Sequence, residues 1–327
     1  MEGQVFFDKR SDRNAGRERV GMGNLIARWL RQNADAAVSA SFKEYYSYVH
    51  TQLQDEMGYV LNGPGNRGKR LYNWPWVMQL HVATSALNIT FGGAVGDLKP
   101  LERFMLTLES FYAQGGAELY AIGLPIYEGL RALNASGDIN AYERALSLFQ
   151  RHGQHIVDRG LDYPAFEVNF EQSIVAPAVV MLLELYRWTG DKKWLTAAEL
   201  QLETLLRFSG KQPDYRVHDI AIRHWDGYWF GKDRMWGDVF PHYWSTLNAV
   251  ALHRYGQAVG KDSYWRKAEG IIRSNLTLFD QDGRGSCAWI YPTSVNGRPG
   301  HYADPYANDQ DWALNHLLQI SDEKSLE

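Results

Sequence analysis

The sequence predicts an all-α protein folded as an (α/α)6 toroid, a closed barrel of helical hairpins. Three observations predict this fold. Eleven stretches carry amphipathic helical periodicity, the same short Gly-Asp junction joins several helix pairs, and the segments richest in reactive side chains fall between hairpins. Strand signals are few and short. The predicted helices cover residues 24–37, 41–58, 74–90, 98–114, 119–134, 139–158, 169–189, 192–208, 241–259, 262–279 and 304–319.

The recurring junction has a simple physical basis. Glycine has no Cβ and can end a helix in a left-handed C-cap, and aspartate then accepts hydrogen bonds from the free N–H groups of the next helix. An aromatic such as Trp194 or Trp265 follows within a few residues, and we expect it to pack back across the hairpin. The junctions are Gly190-Asp191, Gly137-Asp138, Gly260-Lys261-Asp262 and, more loosely, Gly96-Asp97.

A closed ring and an open solenoid of stacked helix pairs both contain repeated hairpins. The ring is preferred because the repeats share no fixed short length, and because the helices at 74–90, 169–189 and 241–259 are apolar nearly all round, as inner-ring helices should be. Three chemically rich segments each follow a predicted outer helix and precede an inner one, so we expect them to surround one end of a central funnel. These segments are 161–172, 209–244 and 281–303.

Composition sets limits on function. The chain has 327 residues, 45% of them hydrophobic, and a formal net charge of −4, with scattered cations that do not predict nucleic-acid binding. No apolar run predicts a membrane span or a signal peptide, so a cytoplasmic location stays open, as does a periplasmic or secreted one if a signal peptide has been removed. Cys287 is the only cysteine, and the oligomeric state of the protein is left open. We expect a polar segment at 1–22 and a single toroid domain at 23–327.

The segment from Arg223 to Trp244 is the most unusual part of the chain. Four tryptophans, three aspartates, two histidines and two arginines stand in 22 residues. The segment has neither a helical period nor a strict strand alternation, so we interpret it as a loop that leads into a helix. Aromatic faces with interleaved carboxylates and cations suit a sugar, because Trp and Tyr stack on its C–H face and charged groups bind its hydroxyls.

The run Met235-Trp236-Gly237-Asp238-Val239-Phe240-Pro241-His242-Tyr243-Trp244 resembles the Trp-Gly-rich motif of unsaturated uronyl hydrolases, which are members of the six-hairpin glycosidase superfamily. It departs from their Trp-Gly-Arg-Gly-Asn-Gly-Trp pattern at Asp238 and Val239. β-Glucuronidase-type toroid enzymes resemble the chain equally well. The resemblance implies an enzyme that acts on uronic-acid-containing glycans.

We predict a glycoside hydrolase that uses two carboxyl groups, one as the acid and one as the base. The acid candidates are Glu171 and Glu167, which stand at the start of a predicted apolar helix, where partial burial raises a carboxyl pKa. The base candidates are Asp238 and Asp226. Each of the four also suits a purely structural role, as a helix-start or turn residue.

The predicted substrate is an oligosaccharide, bound by aromatic rings that stack on sugars and by polar groups that hold a uronate carboxylate. The candidate substrate-binding residues are Trp74, Trp225, Trp236, His242, Arg234, Arg298, His301, Tyr302 and Asp304.

Three alternatives stay open. A polysaccharide lyase on the same scaffold would use Tyr302 or His301 to abstract a proton and Arg298 to neutralise the uronate. A sugar isomerase or epimerase would use paired histidines, and a non-catalytic α-helical protein would bind through exposed aromatics. No motif predicts a nucleotide, a flavin or a metal cofactor.

Overall fold

The computed structural model describes residues 20–68, 70–87, 89, 98–164, 172–209, 223–227, 235–283, 285, 288–295, 298–301 and 311–324. In the four strands and at residues 322–324 only the backbone is described. The described residues form eleven α-helices and one four-stranded sheet. The helices are α1 (Val20–Gln32), α2 (Ala36–Gln52), α3 (Trp74–Ser85), α4 (Pro100–Ala113), α5 (Ile126–Ser136), α6 (Ile139–Arg159), α7 (Gln172–Thr189), α8 (Lys192–Leu205), α9 (Ser245–Val259), α10 (Asp262–Asn275) and α11 (Asp311–Lys324). The strands are β1 (Arg223–Gly227), β2 (Met235–His242), β3 (Ala288–Val295) and β4 (Arg298–His301).

The odd-numbered helices form a closed inner ring. Helix α1 contacts α3, α3 contacts α5, and the contacts continue through α7 and α9 to α11, which packs against α1. Each even-numbered helix packs outside the inner helix that precedes it. The predicted (α/α)6 toroid is therefore confirmed, with six inner and five outer helices among the described residues.

The three inner helices that the sequence predicts to be apolar nearly all round, α3, α7 and α9, are the ones that the ring buries. In α3 every residue but the last is buried, and α7 and α9 are buried along most of their length. A helix buried on all sides needs no polar face, which explains why α3 is so weakly amphipathic.

The Gly-Asp junctions form the predicted turns. Gly137 and Gly190 adopt left-handed conformations, with φ of 78° and 70°. Asp138 then accepts a hydrogen bond from the Ala141 amide, and Asp191 from the Lys193 amide. At the third junction Gly260 ends α9, but Lys261 is the N-cap residue of α10 and Asp262 is already helical. The junction at 96–97 lies outside the described residues.

The aromatic that follows the third junction packs back as expected. Trp265 on α10 lies so close to Gly256 on α9 that an added Cβ would sit 2.8 Å from the indole nitrogen. Glycine at this position therefore lets the two helices of the hairpin approach closely.

The sheet was not predicted. β1 pairs with β2, β2 with β3 and β3 with β4, all antiparallel. The interpretation of 223–244 as a loop is thus wrong for β1 and β2, and the helix predicted at 241–259 begins only at Ser245. Glycine, tryptophan and aspartate dominate these strands and hide the alternation that predicts a strand.

We expect Gly58→Ala to lower the free energy of unfolding by about 2–3 kcal/mol. Gly58 has φ of 78°, and a Cβ there would lie 2.6 Å from the Thr107 amide nitrogen and overlap the Leu106 carbonyl on α4. Gly65→Ala is the matched control, because Gly65 has φ of 67° but no atom within 4 Å of the position that a Cβ would take, so it reports the backbone strain alone. Urea unfolding measures both, and equal losses would show that contact with α4 is unimportant.

Candidate active site at the mouth of the ring

Each inner helix packs against the outer helix that follows it, and the chain reverses direction between them. The inner helices therefore run in the same direction, and their first residues share one end of the ring, which we call the mouth. The hairpin β1–β2 lies between α8 and α9, and the hairpin β3–β4 lies between α10 and α11. Pairing of β2 with β3 joins the two hairpins into one sheet at the mouth.

One row across this sheet carries three chemically active residue types. His224 on β1 pairs with Asp238 on β2, and Asp238 pairs with Tyr291 on β3. Directly opposed residues of antiparallel strands lie on the same face, with Cα atoms about 4.5–5.5 Å apart. His224, Asp238 and Tyr291 thus occupy neighbouring register positions on one face of the sheet.

Neighbouring positions on this face add more groups of the same kind. Asp226 pairs with Trp236, and each stands two residues from a member of the first row. Trp289 stands two residues from Tyr291 and pairs with His301 on β4. Because alternate residues of a strand share a face, Asp226 and Trp236 lie on the same face as the first row. The register of β3 with β4 shifts between Trp289 and Ser294, so the backbone places Trp289 and His301 only opposite each other.

An axial cavity lies within the ring and is lined by α3, α5, α7, α9, α11 and the segment that precedes α5. Its volume is about 40 Å3, which is room for a few water molecules. A sugar ring is much larger than this cavity.

The polar lining of the cavity offers hydrogen-bond acceptors. The Thr246 hydroxyl donates to the Tyr243 carbonyl (2.6 Å) and lies 2.7 Å from His316 Nδ1. Burial lowers the pKa of His316 to about 3, with a smaller contribution from Arg28, so the ring is neutral at pH 7. Gln79 donates from Nε2 to the Gly123 carbonyl (2.7 Å), and among the described residues its Oε1 has no partner.

The two carboxylates that line the cavity are already paired. Glu128 on α5 forms two parallel hydrogen bonds, each 2.9 Å, with the guanidinium of Arg28 on α1. Arg28 Nε donates to Asn315 Oδ1 on α11 at 3.0 Å. Burial alone would raise the pKa of Glu128, but the charge and hydrogen bonds of Arg28, helped by Arg254 and Arg31, lower it to about 2.

The second carboxylate caps a helix of a neighbouring hairpin. Glu184 Oε2 on α7 accepts hydrogen bonds from the Ile126 and Tyr127 amides, both 3.1 Å, at the start of α5. Its Oε1 accepts from Arg254 Nη2 on α9 at 3.3 Å. The N-cap residue of α5 is Pro125, whose side chain cannot accept, so Glu184 takes over that role from another helix. Burial raises the pKa of Glu184, and Arg254 and the Tyr127 amide oppose the rise.

We expect the stabilising effect of Glu128 to disappear in acid. Its folded pKa of about 2 lies below the ordinary value, so its contribution is complete above about pH 5 and is lost as the pH falls towards 2. Glu128→Gln should therefore be clearly less stable than the wild type at pH 7, and the difference should shrink steadily below pH 5. Urea unfolding at a series of pH values measures it, and a difference that does not change with pH would contradict the ion pair.

Most predicted site residues that the structure describes lie in the sheet. The backbone places Trp225 opposite Gly237, His242 opposite Ala288, and Arg298 opposite Val295. The sheet also holds Asp226, Trp236, Asp238 and His301, as described above. Glu167, Glu171, Arg234, Tyr302 and Asp304 lie outside the described residues.

The structure contradicts one prediction, which concerns Trp74. Its side chain is fully buried, with its ring 4.6 Å from that of Tyr59 and 6.4 Å from that of Phe111. A ring enclosed by the core cannot stack on a sugar, so the predicted role of Trp74 in substrate binding is wrong. Tyr291, in contrast, was not among the predicted site residues. It belongs to the candidate site because β3 pairs with β2 and places Tyr291 opposite Asp238.

The described residues contain no group of three His, Cys, Asp or Glu side chains that could hold a metal ion. Within the same ranges, no helix has both the length and the apolar character needed to cross a membrane.

Comparison with known proteins places this fold in a class. No family model and no curated protein matches the sequence. The matching solved structures named below share the α/α toroid fold of this chain. A polysaccharide lyase superimposes with a TM-score of 0.88 and 37% sequence identity. That match covers 97% of this chain and 47% of the lyase, so the chain spans about half the length of that enzyme.

More distant structures share the fold alone. A GH76 α-mannanase from Bacteroides thetaiotaomicron has a TM-score of 0.61 and 13% identity, over 97% of this chain and 89% of that one. An unsaturated glucuronyl hydrolase specific for heparin has a TM-score of 0.57 and 14% identity, over 95% of this chain and 87% of that one.

Proposed function

We propose that the protein is a carbohydrate-active enzyme that cleaves a uronic-acid-containing polysaccharide by β-elimination. The observation that carries the proposal is the 37% identity with a polysaccharide lyase over nearly the whole of this chain. The distant hydrolases and epimerases share the toroid but have only 10–14% identity, so they support no particular reaction.

The row His224, Asp238 and Tyr291 supplies the residue types that elimination needs. A base removes the proton from the carbon next to the uronate carboxyl, a C=C bond forms, and the bond to the leaving glycosidic oxygen breaks. That oxygen takes up a proton. His224 and Tyr291 are our candidates for the base and the acid. A carboxylate at the position between them favours the protonated imidazole and so makes it a stronger base.

Hydrolysis is the second candidate, and one specific observation favours it. Asp226 and Asp238 stand on adjacent strands at diagonal positions, because Asp226 pairs with Trp236, two residues before Asp238. The backbone positions of diagonal neighbours in an antiparallel pair are about 7–8 Å apart. Inverting glycosidases keep their carboxyl groups about 6.5–9.5 Å apart, a separation that aspartates at such positions can reach. In contrast, each of the cavity carboxylates Glu128 and Glu184 is already engaged in an ion pair with an arginine.

Product analysis tests the proposal. The protein is incubated with a panel of uronic-acid-containing polysaccharides, and reducing ends and ultraviolet absorbance are followed together. Elimination raises both, because each cleavage also makes an unsaturated uronate. New reducing ends without absorbance would overturn elimination in favour of hydrolysis, and loss of absorbance from an already unsaturated substrate would indicate an unsaturated uronyl hydrolase. No change across the panel would overturn the proposed function.

A further inference from the structure

The connection between α2 and α3 leads into the first turn of α3, at the mouth. We call residues 53–70 the rim segment; Lys69 within it lies outside the described residues. The segment makes two consecutive tight turns. In the first, the Asp55 amide donates to the Tyr59 carbonyl (3.0 Å), and in the second the Asn62 amide donates to the Asn66 carbonyl (2.7 Å).

Side-chain contacts fix the rim segment to the scaffold. The Asp55 carboxylate accepts from the Tyr59 amide at 2.9 Å, and the Tyr59 hydroxyl donates to the carbonyl oxygens of Arg67 and Gly68. The Tyr59 ring packs edge-on against Trp74, the first residue of α3. These contacts fix the two turns to each other and to α3, because Tyr59 bonds to the second turn and packs against the buried Trp74.

The positively charged side chain of Arg67 lies against the Tyr59 ring. Its guanidinium carbon lies 4.3 Å from the centroid of the Tyr59 ring, and one of its nitrogens lies 3.1 Å from Asp55. The side chain is nevertheless 67% exposed. Stacking on the ring and one ion pair orient the guanidinium, whose planar fork suits a carboxylate or sulfate group.

Arg70 lies next along the chain and leads towards the axis of the ring. Its guanidinium carbon is 5.5 Å from the centroid of the Tyr72 ring. The Tyr72 ring contacts Trp76 on α3, and Trp76 contacts Trp312 on α11 with ring centroids 5.0 Å apart. These two tryptophans flank α1, where Gly21 lies so close to Trp312 that an added Cβ would be 2.8 Å from the indole nitrogen.

The rim segment and the sheet lie across the mouth from each other. The rim segment leads into α3, and β2 leads into α9, which stands opposite α3 in the ring of six. Inner helices spaced at 8–10 Å put these two positions about 16–20 Å apart. A glycan that reaches from one to the other must contain several sugars.

We propose that Arg67 and Arg70 form a distal subsite for an anionic group of a polymeric glycan, several sugars away from the bond that the sheet cleaves. This rests on the proposed function. A chain with a net charge of −4 needs a local positive surface to hold a polyanion, and Arg67 and Arg70 place two cations within four residues of the rim segment. The recognised group is a uronate carboxylate or a sulfate ester. Hyaluronate carries carboxylates only and chondroitin sulfate carries both, so the two polymers distinguish these sources.

The test compares Arg67→Gln with the wild type. On a cleaved polymer we expect KM to rise about fivefold with kcat unchanged, and the KM of the variant to depend less on salt. On the shortest cleaved oligosaccharide, which cannot reach the rim, we expect no change. Arg144→Gln is the matched control, since Arg144 is 58% exposed in a 2.9 Å ion pair with Glu109 on the outer helices.

The Asp55→Asn variant distinguishes two roles of Arg67, namely binding of the glycan and support of the rim segment. Asparagine keeps an oxygen that can accept from the Tyr59 amide but loses the charge paired with Arg67, so KM for the polymer should stay level or fall. A rise equal to that of Arg67→Gln would mean that the pair only supports the loop, and would overturn the subsite. Wild-type kinetics in Arg67→Gln would overturn it as well.

Retardation in native gels that contain hyaluronate, chondroitin sulfate or a neutral galactomannan measures binding independently of cleavage. Retardation of the wild type by the anionic polymers, reduced in Arg67→Gln, supports the subsite even if no polymer is cleaved and the proposed function fails. Equal migration of the two proteins in every gel would overturn the subsite while leaving the proposed function untouched.

Discussion

Replacement of Glu184 by alanine should lower the free energy of unfolding by about 3–5 kcal/mol, the largest loss of stability that we expect from a single substitution. Glu184 and Arg254 are both almost fully buried, with side chains 4% and 2% exposed. Without the carboxylate, the Arg254 charge loses its 3.3 Å partner, and the first amides of α5 lose their acceptor. The free energy of unfolding in urea is the quantity to measure.

A double-mutant cycle distinguishes the ion pair from the helix cap. Glu184→Gln keeps an oxygen that can accept from the α5 amides but removes the negative charge that lies 3.3 Å from Arg254. Combining it with Arg254→Met removes the Arg254 charge as well, so the double variant should regain part of the loss. Glu109→Ala is the control, because Glu109 is 42% exposed and its loss should cost less than about 0.5 kcal/mol. Equal effects of Glu184→Ala and Glu109→Ala would contradict the structural role of the network.

Nothing in the sequence distinguishes Glu184 and Glu128 from ordinary helix charges. Their partners lie 70 and 100 residues away along the chain, and the partner of Arg28 on α11 is 287 residues away. Such pairs depend on the closure of the ring, which brings α1 beside α11. Helix ends, in contrast, were predictable because the Gly-Asp junction acts through local bonds of the kind that Asp138 and Asp191 make.

The candidate site shows the same division between local and long-range information. The richness of 223–244 in aromatic and acidic residues identified the segment, but only the pairing of β2 with β3, some 50 residues apart, brings Tyr291 to Asp238. The predicted sugar-binding role of Trp74 was wrong for a related reason. Its neighbours in the sequence suggest a surface platform, and Tyr59 and Phe111, which enclose it, come from other parts of the chain.

The largest effect on activity is expected from Asp238→Asn, which should lower kcat by about 10²–10⁴-fold, the usual contribution of a group engaged in acid–base chemistry. Asp238 occupies the centre of the sheet row and pairs with both His224 and Tyr291. Both candidate reactions therefore depend on it, either as the neighbour of a basic imidazole or as one of two catalytic carboxylates. Steady-state kinetics on the substrate found by product analysis measures the effect, and unchanged thermal unfolding excludes a loss of fold.

Two further substitutions decide between the reactions, because each mechanism uses a different neighbour of Asp238. Elimination predicts that Tyr291→Phe is as damaging as Asp238→Asn, since the phenol proton takes part, whereas Asp226→Asn has a small effect. Hydrolysis predicts the reverse, because Asp226 and Asp238 would form the acid and base pair and Tyr291 would have no proton to transfer. Full activity of Asp238→Asn would remove the sheet row from both mechanisms. The catalytic groups would then have to be sought among Glu167, Glu171 and Tyr302, on the connections that lead into α7 and α11.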